Sequence, residues 1–274
     1  MTIQDPANKP RPPSLERSDR PSRSACAIAV MAKASISGKT KTRLIPPLSE
    51  DEAAALNTAF LRDAADNILS AGAFANLSGW MAYAPAGSEP FFKAHLPEGI
   101  DLLETVAPTL GECLHHAAAT LLGAGHRGVC LLNSDSPTLP VGYLIAAATA
   151  LAAPGDRIVL GPSTDGGYYL IGMKRPHPGL FENIAWSTDQ VLAQTLARAQ
   201  SLRLPVFELP TWYDVDNVET LQLLIGEMLG GVPFGAVGPG TPATATRTYL
   251  GTLIRDGRLR DRIGACFAAG GIGR

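Results

Sequence analysis

Four basic side chains crowd into one short stretch, KASISGKTKTR, where they could bind phosphate. They are Lys33, Lys39, Lys41 and Arg43, and Gly38 lies among them. The stretch follows the apolar run CAIAVM, which has the length and composition of a buried β-strand. A basic, glycine-containing loop at the end of such a strand is where α/β proteins hold phosphate groups. A solvated basic loop is the alternative, since lysine side chains are mostly exposed in any protein.

The basic residues at the end of this stretch alternate with other residues. One residue separates Lys39 from Lys41, and one separates Lys41 from Arg43. In extended backbone, alternate side chains project from the same face of the chain. We therefore expect these three cations to share one face of the loop.

The letters GKT within the stretch do not make it a P-loop. That motif needs a glycine five positions before Gly38, and Lys33 stands there. A P-loop also continues directly into a long helix, whereas Pro46 and Pro47 interrupt the chain soon after this loop. The sequence therefore indicates a phosphate-binding loop of another kind.

An acidic residue follows a second apolar run and could hold a metal ion. Asp135 comes just after the strand predicted over Gly128–Leu132, with Ser134 beside it. Open α/β sheets bind ligands at the edge where such strands end. A carboxylate there can hold Mg²⁺, which takes one or two carboxylates together with substrate phosphates. The alternative is a turn in which Asp135 bonds its own backbone. A basic loop at the same edge favours the metal.

Two further acids occur near the end of the chain, in the run WYDVDN. Asp214 and Asp216 are separated by one residue and would share a face in extended backbone. Together with Asp135 they would complete a site for a divalent cation. Asp216 has an alternative role as the N-cap of a helix, because Glu219 follows three residues later.

The run DGGYY could contact the second substrate, the acceptor. Gly166 and Gly167 would let the backbone approach a ligand closely, and Asp165 could bond a sugar or acceptor hydroxyl. A plain hairpin turn explains the same letters. Tyr168 and Tyr169 point to opposite faces of a strand, so at most one of them lines a pocket while the other packs.

Other polar residues give weaker signals. Trp186 could contact substrate, while Ser187, next to it, has Gln190 three residues later and is predicted to cap a helix. The spacing of serine, cysteine, histidine and aspartate supports no nucleophilic triad. The sequence thus gives no support to acyl-transfer chemistry.

The elements that must position these residues alternate between strand and helix. Several strands are apolar on both faces, which indicates a mostly parallel sheet covered on both sides by helices. Strands are predicted at Cys26–Met31, Leu77–Tyr83, Asp101–Val106, Gly128–Leu132, Arg157–Leu160 and Pro205–Leu209. Helices are predicted after Ser49, at Pro90–His95, Leu110–Leu122, Val141–Ala152, from Ser187 to about Gln200, at Val218–Leu229 and at Thr244–Leu259.

Composition limits the partners and the compartment. The 274 residues are 46% hydrophobic and 18% charged, as in a soluble globular protein. A formal net charge of -2 argues against general nucleic-acid binding. The four cysteines are scattered and form no CxxC pair, which favours a reducing compartment and offers no zinc site. No run is long and apolar enough for a membrane span, and no secretory signal is evident, so we expect a cytoplasmic protein.

Five segments taken together resemble a known family. MAKASISGKTKTRL, NSDSPTLP, GPSTDGGYYLIG, WSTDQVL and WYDVDN occur in the family's order between Cys26 and Leu229. The family is a bacterial glycosyltransferase-like one within the GT-A, or nucleotide-diphospho-sugar transferase, superfamily. It is related to 2-phospho-lactate guanylyltransferase and to the molybdenum-cofactor nucleotidyltransferases.

The resemblance implies a Rossmann-like, three-layer α/β/α GT-A fold with the nucleotide over the first loop. Nucleotide and phosphate binding then fall to Ala32, Lys33, Gly38, Lys39, Lys41, Arg43 and Ser134. Acceptor binding falls to Asp165, Gly166, Gly167, Tyr168 and Trp186, and metal binding to Asp135, Asp214 and Asp216. The sequence departs from the family where Ala34 replaces a usual proline and Asn133 a usual glycine. Pro108-Thr109 and Cys113 stand where an acidic Gly-Asp and an arginine are usual.

The expected activity is a transfer dependent on Mg²⁺ or Mn²⁺ that uses a nucleoside triphosphate or a nucleotide sugar, with Asp135, Lys33 and Arg43 as catalytic residues. Several cations suit a triphosphate and a leaving pyrophosphate, which favours nucleotidyl transfer to a small acceptor. Glycosyl transfer and a non-catalytic nucleotide-binding module are the alternatives. The oligomeric state is left open.

The same considerations divide the chain. We expect residues 1–24 to form a disordered tail, residues 25–230 to form the transferase domain, and residues 231–274 to form a partly helical C-terminal extension.

Overall fold

Seven strands form one sheet in the computed structural model, which describes residues 26–231, 234 and 240–270. The tail predicted over residues 1–24 lies outside the described residues. The strands are β1 (Cys26–Lys33), β2 (Leu77–Ala84), β3 (Ile100–Glu104), β4 (Gly128–Leu132), β5 (Ile158–Pro162), β6 (Tyr168–Met173) and β7 (Val206–Glu208).

Helices connect the strands and cover the sheet. They are α1 (Glu50–Gly72), α2 (Glu89–His95), α3 (Leu110–Gly123), α4 (Val141–Ala152), α5 (Val191–Ser201), α6 (Val218–Met228), α7 (Thr244–Arg255) and α8 (Arg258–Gly270). Short 3₁₀ turns occur at Thr42–Leu44 and Pro178–Leu180. Among the residues described, none of these helices combines the length and the apolar character that crossing a membrane requires.

The strand order is β3-β2-β1-β4-β6-β5-β7. Only β6 is antiparallel to its neighbours β4 and β5, and the remaining pairs are parallel. The carboxyl ends of β1, β4, β5 and β7 therefore open on one edge of the sheet, together with the turn between β5 and β6. This arrangement confirms the predicted mostly parallel α/β sheet, and it brings the loops that carry the candidate residues to the same edge.

Each face of the sheet is covered by its own apolar core, which gives the three layers. Alternate residues of β1 divide between the two: Ile28 packs in the core with α1, α4 and the C-terminal helices, and Ala29 in the core with α3 and α5. Both side chains are fully buried, as is Phe60 of α1. Burying a side chain as large as Phe60 stabilises the fold by roughly 2–3 kcal/mol.

Neither the alternative role of Asp216 as a helix cap nor the predicted cap at Ser187 is found in the structure. Helix α6 is capped by Asn217, whose side chain accepts from the Thr220 N–H at 2.9 Å, and not by Asp216. An asparagine one position later serves equally well as a cap, and it leaves the Asp216 carboxylate outside the helix. Helix α5 begins at Val191 after Gln190, while Ser187 lies outside the helix with φ 65°. Helix α1, by contrast, begins after Ser49 as predicted, and Ser49 forms a capping box with Glu52.

The C-terminal residues form two helices where one was predicted, since Gly257 (φ 75°) separates α7 from α8. Helix α7 packs against α1, and α8 packs against α6 and α7 and pairs with α1 through Arg262. The buried Asp63 carboxylate accepts from the N–H groups of Ala245 and Thr246, each at 2.8 Å, and so caps α7. Arg262 of α8 donates to both carboxylate oxygens of Glu52 at 2.6 and 3.0 Å. The helices thus contact the element that follows the basic loop.

A candidate active site at the carboxyl edge of the sheet

Lys41 is the residue that joins the loops at this edge. Its Nζ lies 2.8 Å from Asp135 Oδ1 and 3.0 Å from Asp216 Oδ1, and it donates to the Val215 carbonyl oxygen at 2.7 Å. These contacts match the three N–H donors of an ammonium group. Only 6% of the side chain is exposed. The loop after β1 is thereby tied to the loops after β4 and β7.

The local backbone explains why Lys41 turns inward. It has the left-handed conformation, with φ 53° and ψ 38°, and the 3₁₀ turn Thr42–Leu44 follows at once. The prediction that Lys39, Lys41 and Arg43 share one face is therefore wrong, because the segment is not extended. The inward ammonium also lies over the ring of Phe60, 5.2 Å from its centroid.

Electrostatics keeps Lys41 charged despite its burial. Burial alone would lower the pKa of this ammonium, but the charges of Asp135 and Asp216 and the hydrogen bonds to them outweigh it. The pKa of Lys41 therefore lies above its ordinary value. A permanently charged side chain at this point is a structural counterion to the two acids.

The other cations of the loop are exposed. Arg43 is 70% exposed and approaches Asp216 Oδ2 at 3.7 Å. Lys33 and Lys39 are exposed as well, and neither forms an ion pair with any residue that the structure describes. These three exposed side chains carry positive charge that is open to a ligand.

Two further residues of the predicted phosphate loop have structural positions. Ala32 lies inside β1, paired with Tyr83 of β2, and is buried. Gly38 has φ 72°, and a Cβ at this position would lie 2.8 Å from Glu50 Oε2. The left-handed backbone of this turn favours glycine, whereas the Glu50 side chain could move aside.

Asp135 is held in place by its own loop. Its Oδ1 accepts from the Ser134 hydroxyl at 2.8 Å in addition to Lys41, and its carbonyl oxygen accepts from the Val215 N–H at 2.8 Å. Its side chain is 28% exposed, so a ligand can reach it. Ser134 thus orients Asp135, and the carboxylate faces the open edge.

Asp214 lies deeper than its neighbour Asp216. It is buried, and its Oδ1 lies 3.2 Å from the Ser163 hydroxyl oxygen. Burial raises the pKa of Asp214 to about 6, and the negative charges of Asp165, Asp216 and Asp135 add to the effect. The structure therefore gives Asp214 and Asp216 different partners.

The three acids do not form a metal cage. Within the described ranges, no three side chains of histidine, cysteine, aspartate or glutamate come close enough together to hold a metal ion. Asp135 and Asp216 are the pair that Lys41 brings together, and Asp214 is turned to Ser163. Two carboxylates fit a Mg²⁺ or Mn²⁺ ion that takes its other ligands from phosphate and water, but not an ion held by protein alone.

The turn between β5 and β6 places Asp165 at the same edge. Asp165 is exposed, and its carboxylate accepts from the Gly167 N–H at 2.9 Å and from the Ser163 hydroxyl. Gly166 has φ 87°, and a Cβ there would lie 2.2 Å from the carbonyl oxygen of Asp189. The close approach that this glycine permits is to the chain at Asp189.

The aromatic residues expected near the acceptor are packed into the protein. Tyr169 is fully buried and donates its hydroxyl to the Pro210 carbonyl oxygen at 2.9 Å. The Tyr168 hydroxyl is also buried, and burial raises its pKa well above the ordinary value. Trp186 is half-buried and lies against Gly111 of α3, where a Cβ would come within 3.0 Å of its ring.

Sequence reasoning missed Ser163, which links two of the acids. Its hydroxyl contacts both Asp165 and Asp214, and its backbone pairs with Trp212. The Ser-Thr-Asp spacing is a signal of a local turn. Nothing in that spacing points to Asp214, which is 51 residues away.

Comparison with known proteins agrees with this fold. Residues 57–188 match the profile of a family described as uncharacterized protein conserved in bacteria (DUF2064). A protein from Desulfovibrio desulfuricans G20, provisionally described as a nucleotide-diphospho-sugar transferase, is 28% identical, with a TM-score of 0.70. The match covers 87% of this chain and 98% of that protein. Among curated proteins, no sequence matches this chain.

A more distant structure shares the fold. CMP:2-keto-3-deoxy-manno-octonic acid synthetase, solved in complex with CTP, is 13% identical with a TM-score of 0.50. The match covers 76% of this chain and 99% of that one. The chain thus has the Rossmann-like fold of nucleotide-diphospho-sugar transferases, and on this evidence it is an enzyme of the transferase class.

Proposed function

We propose that the chain transfers a nucleotidyl group from a nucleoside triphosphate to a small acceptor that carries a hydroxyl or phosphate group. The observation that carries this proposal is the Lys41 junction. Because Lys41 contacts Asp135 and Asp216, the basic loop and the acids face one edge of the sheet. Phosphate ligands and metal ligands are thereby combined in one site.

The exposed cations supply the phosphate contacts. Lys33, Lys39 and Arg43 neutralise the oxygens of the triphosphate and of the leaving pyrophosphate. Nucleotidyl transfer depends mainly on such neutralisation and on in-line positioning, with little covalent help from the protein. In the reaction, the acceptor oxygen attacks the α-phosphorus and pyrophosphate leaves.

Asp135 and Asp216 supply the carboxylates for a divalent cation. When bound, Mg²⁺ or Mn²⁺ polarises the phosphates and offsets their charge. Asp135 is kept in position by Ser134 and by the backbone contact with Val215. Asp214 lies behind this pair and contributes to the site through Ser163 and Asp165.

Asp165 is the residue that we assign to the acceptor. It is exposed on the β5–β6 turn, and its carboxylate is fixed by the Gly167 N–H. A fixed carboxylate can accept the hydrogen bond of an acceptor hydroxyl and so orient the attacking oxygen. Because nucleoside triphosphates are cytoplasmic compounds, we also propose a cytoplasmic location for the protein.

The test is an assay for pyrophosphate release. The purified chain is incubated with Mg²⁺, each of the four common nucleoside triphosphates, and a panel of phosphorylated hydroxy acids and sugar phosphates. We expect pyrophosphate in a one-to-one ratio with a nucleotidylated acceptor, and a rate at least about 100-fold lower for Asp135→Asn. Absence of pyrophosphate from every combination, with the nucleotide shown to bind, would contradict nucleotidyl transfer.

Glycosyl transfer is the second candidate. It is favoured by the 28% identity to the protein described as a nucleotide-diphospho-sugar transferase. The same assay with nucleotide sugars distinguishes the two, because glycosyl transfer releases a nucleoside diphosphate and forms a glycoside. A non-catalytic module would bind nucleotide without a metal ion, and its binding would survive Asp135→Ala.

A further inference from the structure

Lys41 already supplies positive charge to Asp135 and Asp216. Its ammonium contacts one oxygen of each at 2.8 and 3.0 Å, and its remaining donor is used by the Val215 carbonyl oxygen at 2.7 Å. The Lys41 side chain is only 6% exposed, whereas the side chains of Asp135 and Asp216 are 28% and 31% exposed. The junction is complete in the protein alone.

The charge of the junction opposes binding of a free cation. Two carboxylates share the charge of Lys41, and the guanidinium of Arg43 lies 3.7 Å from the second oxygen of Asp216. The two carboxylates, Lys41 and Arg43 taken together therefore have a net charge close to zero. In the part of the chain that the structure describes, no third histidine, cysteine, aspartate or glutamate side chain is available to complete a site for a free ion.

We propose that Lys41 makes binding of the divalent cation dependent on the nucleotide. It holds Asp135 and Asp216 together and prevents them from binding a free ion, so the ion enters as its complex with the substrate phosphates. This inference rests on the proposed function and adds an order of binding to it. Lys41 is then a positioning residue that acts through the acids, whereas Lys33 and Lys39 contact phosphate.

The consequence is that the cation carries most of its own ligands into the site. Mg²⁺ and Mn²⁺ bound to a triphosphate keep phosphate oxygens and water in their coordination shell, and one or two carboxylates complete it. The phosphates meanwhile bring negative charge, which restores the attraction that Lys41 removes. Substrate and ion are therefore required together.

Mn²⁺ alone is the probe for the first test, and the readout is the electron paramagnetic resonance signal of the free ion. We expect wild-type protein to leave Mn²⁺ free. Lys41→Met should bind one ion per chain at least about tenfold more tightly, because the acids are left without their counterion. Lys39→Met, which removes an exposed lysine from the same loop, should match wild type.

A double variant tests whether the Mn²⁺ ion that Lys41→Met binds is held by the two acids. Asp135→Asn introduced into Lys41→Met should abolish it, since one of the two carboxylates is lost. If Lys41→Met does not fold, judged by circular dichroism, Lys41→Gln replaces it and keeps a polar end. Folded Lys41 variants that bind Mn²⁺ no more tightly than wild type would overturn the proposal.

Equilibrium dialysis tests the proposal on the wild-type protein. With Mn²⁺ and each of the four nucleoside triphosphates, we expect ion and nucleotide to be retained in a one-to-one ratio. Equal retention of Mn²⁺ without nucleotide, lost in Asp135→Asn, would overturn the proposal. If none of the nucleotides is retained, the proposed function is wrong, while the contrast between wild type and Lys41→Met still decides the role of Lys41.

Discussion

Two lysines of one loop, Lys39 and Lys41, have opposite surroundings. The Lys41 side chain is 6% exposed and contacts three oxygen atoms on two other loops. Lys39, two positions earlier, is exposed and forms no ion pair with any described residue. The comparison shows that, of two neighbouring residues with the same charge, one can have a structural role while the other remains available to a ligand. The buried cation organises the edge of the sheet, and the exposed cations are left for a ligand.

The energies expected of the two surroundings also differ. Removing one partner of a buried ion pair destabilises a protein by roughly 3–5 kcal/mol, because the other partner stays buried without a counterion. An exposed lysine contributes roughly 0–1 kcal/mol to stability. Each prediction below tests this division, from the largest expected effect to the smallest.

The largest effect is expected on activity when an acid of the junction loses its charge. Asp135→Asn should lower turnover by at least about 100-fold, since the carboxylate that faces the phosphates is lost. Stability should change by about 1 kcal/mol at most, because Lys41 keeps Asp216 and the Val215 carbonyl oxygen. Steady-state kinetics and urea unfolding measure the two effects. Asp189→Asn, an exposed acid, is the matched control, and equal losses in both variants would contradict the assignment.

The next effect is on stability. Lys41→Met should lower the free energy of unfolding by about 3 kcal/mol, whereas Lys39→Met should change it by less than about 0.5 kcal/mol. Both substitutions remove one positive charge and keep an unbranched side chain. Urea unfolding at pH 7 compares them. Similar losses of stability in the two variants would show that Lys41 and Lys39 do not differ in their contribution to the fold.

The third effect depends on pH and concerns the buried acid behind the junction. The pKa of Asp214 is raised to about 6 by burial and by the nearby acids. The unfolded chain has an ordinary value of about 3.9, so the folded protein binds the proton more tightly between these pH values. Stability from this group is therefore full below about pH 4 and is lost as pH rises to about 6.

Asp214→Asn removes this titration. Above pH 6 the variant should be more stable than wild type by about 2–3 kcal/mol, and at pH 4 the two should agree. Urea unfolding between pH 4 and pH 8 gives both values. Parallel profiles for wild type and variant would contradict the burial of a titrating carboxyl at this position.

Substitution of the exposed cations should have the smallest effect on stability. It should, however, weaken nucleotide binding. Lys33→Met and Lys39→Met should each weaken nucleotide binding about tenfold, the loss of one charge-assisted contact of about 1.4 kcal/mol. Their unfolding free energies should stay within about 0.5 kcal/mol of wild type. Isothermal titration with nucleotide and Mg²⁺ measures the affinity. Unchanged affinity in both variants would remove these lysines from the phosphate site.

The fold could be predicted because its signals are local. The run over Gly128–Leu132 is apolar at every position, and it forms β4 with the predicted bounds. Once the strands are parallel, the residues after β1, β4 and β7 must meet at one edge. The common location of the basic loop, Asp135 and Asp216 therefore followed from the parallel direction of the strands that precede them.

The sequence could not predict which cation of the loop is buried and which are exposed, because this depends on contacts between residues that are distant in sequence. In the loop after β7, Lys41 donates hydrogen bonds to the Val215 carbonyl oxygen and to Asp216. These two residues lie 174 and 175 positions away from Lys41 in the sequence. Its left-handed backbone gives no signal in the letters KTKTR, where alternation suggests extended chain. Asp216 and Asn217 are both good helix caps, and only the pairing of Asp216 with Lys41 shows which one the site uses.

The most direct test of the central claim, that exposed cations bind phosphate at an edge organised by Lys41, is a thermal unfolding measurement with nucleotide and Mg²⁺. A ligand at 100 times its dissociation constant stabilises the native state by about 2.7 kcal/mol. We predict a rise in Tm for wild type with at least one nucleoside triphosphate, and none for the triple variant Lys33→Met, Lys39→Met, Arg43→Met under the same conditions. Equal rises in the two proteins would contradict the account.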